Sequence, residues 1–166
     1  MEHPEKAEGA NNIVIVGGGV VGCETAHWLA NEYGKNVTVL EMLPHFMMGV
    51  CTANRGHLLH YLEKSGVRLY NCTKVKALAK DGVYVEQNQS QTVPDPYNTW
   101  QPLLPPNIPN PMEKAIKEEI VEKKIPADLI VLAMGGKADE TFFFEAGEEH
   151  LAKEIYNIGD SSRAGR

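Results

Sequence analysis

Compact apolar runs alternate with longer amphipathic stretches along most of this chain. The first run, Ile13-Val14-Ile15-Val16, is β-branched at every position, as expected of a strand buried on both faces of a sheet. Residues 20–33 follow with Val21, Thr25, Trp28 and Leu29 at helical spacing, and Gly34 stands where a left-handed residue ends a helix. Val37-Thr38-Val39-Leu40 is the next strand, so 13–41 reads as a βαβ unit whose right-handed crossover makes its strands parallel. An irregular stretch from Leu43 to Cys51 leads to a helix over about 52–65, marked by Leu58, Leu59 and Leu62 and ended by Gly66; Val67 to Tyr70 is a third strand. Residues 73–79 and 83–87 are expected to pair as a hairpin around Lys80-Asp81-Gly82, because Asp-Gly permits positive φ in a tight turn.

The pattern breaks over 88–112, which holds seven of the ten prolines together with Trp100. Such a stretch cannot sustain a regular helix or a central strand. It is expected to be a proline-rich insertion, functional or disordered. After it, the signals conflict. Asn110-Pro111-Met112-Glu113 has the form of a helix start. Ile116, Glu118, Ile120 and Glu122 fit a strand, and a strand over about 117–124 is the expectation. Asp128 to Met134 is a buried strand ending at Gly135-Gly136, and Ile155 to Ile158 the last strand. The predicted fold is a three-layer α/β, Rossmann-like FAD/NAD(P)-binding domain. Its parallel sheet holds strands near 13–16, 37–41, 67–70, 129–134 and 155–158, with helices on one face and a β-meander from 73–87 and about 117–124 on the other. Residues 1–12 are expected to be a disordered tail or linker.

The 166 residues suit one domain, and 43% apolar content is ordinary for a globular core. A net charge of −6 and an isoelectric point near 5.5 argue against a nucleic-acid partner. No apolar stretch approaches the length of a membrane span, so no membrane partner is expected. Cys23, Cys51 and Cys72 show no C-x-x-C and read as reduced thiols of a cytoplasmic protein. His57 and His60 are three apart without a third ligand, so no metal site is expected.

The chemistry is concentrated after the first strand. Gly17-Gly18-Gly19-Val20-Val21-Gly22 is a G-x-G-x-x-G turn between a strand and a helix, and Glu41 ends the second strand 24 residues after Gly17. A dinucleotide pyrophosphate is a dianion that backbone N–H groups at a helix N-terminus can hold, provided no side chain blocks the approach. Gly17 then permits the tight turn, Gly19 the contact with phosphate, and Gly22 close packing of helix on strand. Glu41 can accept the hydroxyls of an adenine ribose and would repel a 2′-phosphate. Met42, Leu43 and Pro44 after it offer no cation, so NADH is favoured over NADPH. Glu24, from its position alone, reads as a helix-start acid stabilised by the dipole.

The stretch IVIVGGGVVGCETAHWLA resembles the NADH-binding domain of the two-dinucleotide flavoproteins, the pyridine nucleotide-disulfide oxidoreductase-like family that includes glutathione-reductase-like enzymes. That resemblance places Glu24 near the nicotinamide. It likewise makes Ala133-Met134-Gly135, within DLIVLAMGG, a turn close to the nucleotide. IYNIGDSS resembles the returning FAD segment, which assigns Asp160 to FAD. VTVLEMLPHFM, NRGHLLHYLEKSGVRLY and KKIPADLIVLAMG resemble the C-terminal region of old-yellow-enzyme-type NADH:flavin oxidoreductases such as enoate reductases and 2,4-dienoyl-CoA reductases. The resemblance implies an NAD(H)-binding domain over 13–158 and the start of the FAD-domain return over 159–166. It implies NADH/NAD bound here and FAD held mainly outside this chain. It also implies an FMN barrel and an iron–sulfur cluster upstream, with hydride passing from nicotinamide to flavin, no catalytic residue in this stretch and no turnover by the chain alone. A non-catalytic nucleotide-sensing or interaction module, or a reductase module of another branch, remains open at this point; the lack of a redox cysteine pair argues against the disulfide branch.

Overall fold

The computed structural model describes residues 5–100, 108, 110–111, 114–136 and 138–162, with Asp160 described by its backbone alone. The chain divides into two units, Met1–Met134 and Gly135–Arg166.

In the first unit, β1 (Asn12–Val16), β2 (Asn36–Leu40), β3 (Arg68–Tyr70) and β7 (Leu129–Leu132) form a parallel sheet in the order β3-β2-β1-β7. Ile13 stands opposite both Val37 and Leu129, so β1 is the central strand where the winding reverses. Because side chains alternate along a strand, β1 serves two cores. Ile13 and Ile15 face α2 (Val20–Tyr33) and α3 (Thr52–Lys64) with Val37 and Val39, while Val14 and Val16 face the other way with Leu40. The second core is closed by Val83, Val85 and Ile125 of an antiparallel sheet of β4 (Thr73–Ala79), β5 (Gly82–Asn88) and β6 (Ile120–Pro126). Helices on one face and a meander on the other give the three-layer α/β arrangement that the sequence predicts.

The hairpin loop is Lys80-Asp81, and Gly82 opens β5 with φ +154°. A Cβ on Gly82 would run into the carbonyl oxygen of Ile125 on β6, so the position needs glycine for close approach as well as for φ. The start of β1 is tied to β7 by Asp128, whose carboxylate accepts the N–H groups of Asn11 (3.0 Å) and Asn12 (2.8 Å).

The structure differs from the expectations in five places. The strand expected to be buried over 128–134 is β7, which lies at the edge of the parallel sheet among the described residues and is half-buried, with Leu132 exposed, because only one neighbour covers it. The stretch 155–158 forms no strand. It lies in the second unit, after α4 (Thr141–Glu148), and the parallel sheet has four strands among the described residues. The sequence pattern assigns no element to 141–148, where the structure has helix α4, with Ala146 buried and Phe142 and Phe144 exposed. Glu5–Glu8 forms a helical turn, α1, and Ala7 and Ala10 are buried against the helix-side core rather than lying in a free tail. The buried face of α2 is Gly22, Cys23, Ala26 and Leu29, with Val21 exposed, because small residues let the helix lie close on the sheet.

The proline-rich segment, as far as Trp100, is irregular but anchored. Asn88 holds both ends of the excursion: its Oδ1 accepts the N–H of Ser90 and of Glu119 (3.0 Å each). The Tyr97 hydroxyl donates to the carbonyl of Val67 (2.5 Å) and accepts the N–H of Leu69 (3.3 Å), which covers the free edge of β3.

Candidate functional site

The glycine turn joins β1 to α2 at the carboxyl end of the parallel sheet, beside the strand where the winding reverses. In open α/β sheets that is where ligands bind. Each glycine has its own reason. Gly17 has φ +112°, and a Cβ there would collide with the backbone carbonyl of Ala133. A Cβ on Gly18 would lie 2.8 Å from Cβ of Glu41 and 2.4 Å from the Phe46 ring. A Cβ on Gly22 would strike the carbonyl oxygen of Gly17. Gly19 is different: nothing lies within 4 Å of its Cβ position, and its φ of −71° is open to any residue. The protein itself does not require glycine at position 19, and the space above it is free.

Gly19 is the N-cap of α2, without a capping side chain. The helical ladder begins with the N–H of Cys23 donating to the carbonyl of Gly19 (3.0 Å), which leaves the N–H groups of Val20, Val21 and Gly22 ahead of it. An uncapped helix start beneath open space suits an anion, because the partial positive charge there is uncompensated.

Glu41 follows β2 and reaches back to this turn. Its Oε2 accepts the N–H of Gly18 and its Oε1 the N–H of Leu43, both at 2.8 Å. The two bonds fix the carboxylate at the lip of the turn, and each oxygen keeps a lone pair for a hydroxyl donor. The carbonyl of Gly18 accepts the N–H of Met47 (2.8 Å) and, more weakly, the thiol of Cys23 (3.6 Å). Burial, then the charge of Glu41, pushes the Cys23 thiol up to about 12, against an opposing pull from Arg55. Cys23 is thus a neutral packing group and not a nucleophile.

The other expected residues divide. Ala133 lies against Gly17, and its N–H donates to the carbonyl of Val16 (2.8 Å). Met42 and Met134 are exposed just past the ends of β2 and β7. Val20 and Val21 form the first turn of α2, and Glu24 is exposed one turn along it. Gly135 belongs to the second unit. The backbone of Asp160 lies in a 3₁₀ turn, Gly159–Ser161; its side chain lies outside the described residues. The structure therefore brings Gly17–Gly22, Glu41 and Ala133 together.

Phe46, Met47 and Arg55 were missed by the sequence reading. Arg55 left a signal: with Leu59 and Leu62 it falls at i, i+4, i+7, a charged residue on the core stripe of α3. Burial lowers its pKa from the ordinary value, while Cys23 works in the other direction.

Residues 1–159 match the family model described as pyridine nucleotide-disulphide oxidoreductase. An NADH oxidase of Thermoanaerobacter brockii is 42% identical over 55 residues, 33% of this chain and 8% of that protein. A bilirubin reductase of Mediterraneibacter gnavus is 35% identical over 91 residues, 55% of this chain and 14% of that protein. In fold, the chain is similar to a 2-naphthoyl-CoA reductase (TM-score 0.66, 24% identity, 94% of this chain and 19% of that one). It is also similar to the water-forming NADH oxidase of Lactobacillus brevis (TM-score 0.57, 15% identity, 87% of this chain and 25% of that one). The matched stretches are thus a small part of each relative's length.

Proposed function

The chain belongs to the pyridine nucleotide-disulphide oxidoreductase family, and from that premise we propose that it is the NADH-binding domain of a flavin-dependent oxidoreductase. The observation that carries this reading is the pair formed by Gly19 and Glu41: free space over an uncapped helix start, beside a carboxylate fixed by two backbone N–H groups. The N–H groups at the start of α2 hold the pyrophosphate. Glu41 accepts the adenine ribose hydroxyls and excludes a 2′-phosphate. The resemblance to the family assigns Ala133, Met134, Gly135 and Glu24 to the nicotinamide end of the dinucleotide. Bound there, NADH supplies a hydride for a flavin. The chain's own part in this reading is to bind and orient the dinucleotide, through the N–H groups at the start of α2 and the Glu41 carboxylate.

Under this reading 13–158 is the NAD(H)-binding domain, and 159–166, with Asp160, begins a return to an FAD-binding domain. The whole protein is an NADH:flavin oxidoreductase of the enoate reductase and 2,4-dienoyl-CoA reductase type, with an FMN barrel and an iron–sulfur cluster in its other part. The relatives support this in kind: an NADH oxidase, a cinnamate reductase and a bilirubin reductase, of which the matched stretches make up 8%, 14% and 14%.

Calorimetric titration of the chain with NADH, NADPH and FAD tests the reading. The expected result is micromolar NADH binding, weaker NADPH binding and none for FAD. Binding of no dinucleotide would refute it and favour an interaction module.

A further inference from the structure

Arg55 is 1% exposed, the largest fully buried side chain of the described residues. It occupies the core stripe of α3 beside Leu59 and Leu62, where an aliphatic residue would pack without the cost of burying a charge. No carboxylate of the described residues pairs with it. Its guanidinium is spent on backbone carbonyls. Nε donates to Phe46 (3.0 Å), and Nη1 donates to Asn98 (2.9 Å) and, at longer range, Thr99 (3.4 Å).

Those carbonyls belong to two different segments. Phe46 is in the loop after Glu41; Asn98 and Thr99 are in the proline-rich excursion. Asn71 repeats the link from the end of β3: its Nδ2 donates to the carbonyls of Pro44 (2.7 Å) and Pro94 (2.9 Å). The 44–47 loop is in turn the back wall of the glycine turn. The Phe46 ring lies against Gly18, and the N–H of Met47 donates to the Gly18 carbonyl. A continuous path of contacts therefore runs from the excursion, through Arg55 and the 44–47 loop, to the backbone of Gly18.

We propose that Arg55 is a positioning residue of the nucleotide crevice: it couples the segment 94–100 of the proline-rich stretch to the glycine turn, so that this segment tightens when a dinucleotide occupies the turn. This rests on the reading of that turn as the NADH site. Arginine suits the task because its planar fork spans two segments at fixed geometry, whereas a lysine ammonium is a single point on a flexible stem. Such coupling is reciprocal: if the excursion tunes NADH affinity, NADH must stabilise the excursion.

Amide hydrogen exchange of the whole chain, with and without NADH, reads this directly. In the wild type, saturating NADH is expected to slow exchange in the segment 95–100 severalfold. Arg55→Lys keeps the charge and loses the span, so that slowing disappears and the NADH Kd rises by roughly tenfold, the usual scale of such coupling. A staple with only a structural role would speed exchange in the excursion equally with and without NADH. Should Arg55→Lys fail to fold, Asn71→Ala cuts the parallel link and is expected to reduce the NADH-dependent slowing. An excursion indifferent to NADH in the wild type overturns the proposal. So does a folded Arg55→Lys chain with wild-type Kd and wild-type slowing. A wild-type chain that binds no NADH fails at the binding isotherm, before any variant is made, and there it is the reading of the turn that falls.

Discussion

Gly19→Ala separates ligand binding from folding at this site. The backbone at Gly19 has φ −71° and ψ −177°, which alanine adopts without strain, and its Cβ would meet nothing within 4 Å. Alanine is a poorer N-cap than glycine, a cost of about 0.5–1 kcal/mol, offset by a similar gain from the stiffer unfolded chain. The expected change in stability is therefore below about 1 kcal/mol, a few degrees in Tm. Binding is another matter. A phosphate oxygen must come within about 2.9 Å of the amides at the start of α2, and the new methyl occupies that approach. Losing one or two charge-assisted hydrogen bonds, at about 1.5–3 kcal/mol each, weakens NADH binding by at least about tenfold and by up to roughly ten-thousandfold if two strong ones are lost. Gly22→Ala is the control. Its Cβ strikes the backbone carbonyl of Gly17, so α2 must move off β1, and stability falls by about 1–3 kcal/mol along with binding. Scanning calorimetry gives the two Tm values and fluorescence titration the two NADH dissociation constants. A Gly19→Ala chain that binds NADH like the wild type would refute the argument, since the free space over the turn would then not be where the pyrophosphate lies.

Three further outcomes follow from single observations. Glu41→Ala removes the acceptor of two N–H groups and the charge facing a 2′-phosphate, so NADH binding weakens by about tenfold or more while NADPH binding changes less; parallel titrations check this, and equal losses would count against the assigned role. At pH 8 iodoacetamide is expected to label exposed Cys51 and to spare Cys23, whose thiol is held at about 12 and is ionised in only about one molecule in ten thousand; peptide mass spectrometry before and after denaturation reads the difference. The N–H groups of Asn12 and then Asn11 hold the Asp128 carboxyl below its ordinary value. With the folded pKa depressed, the stabilisation is present above the unfolded value, near about 3.9, and is lost as pH falls through the folded one. Urea midpoints of the wild type and Asp128→Asn should therefore differ at pH 6 and converge in acid; a gap that persists in acid would show that the bonds do not depend on the charge.

Most of the first unit was legible because its signals are local. β-Branched runs, a left-handed glycine after α2 and an Asp-Gly turn act within a few residues, and each appears where the pattern puts it, with β6 displaced only to Ile120–Pro126. The errors fall where a segment's fate depends on distant partners. Ile155 to Ile158 is apolar enough for a strand but takes no place in the sheet, and Ala7 and Ala10 are buried by residues far along the chain. The proline-rich segment reads as structureless by composition, yet Asn88, Tyr97 and Arg55 anchor it through bonds spanning some 30 to 40 residues, which no local pattern encodes.

The candidate site divides in the same way. The run of glycines, the acid at the end of the second strand and the order of strand, turn and helix are properties of the sequence alone, because close backbone approach and an accessible helix start demand those residue types at those spacings. Only the tertiary structure decided which glycine is held by the protein's own packing and which faces free space. It alone brought the Glu41 carboxylate onto Gly18 and set a buried guanidinium behind the turn. Those are relations between segments that meet only when the sheet closes, and burial, desolvation and hydrogen-bond geometry exist only once they have met.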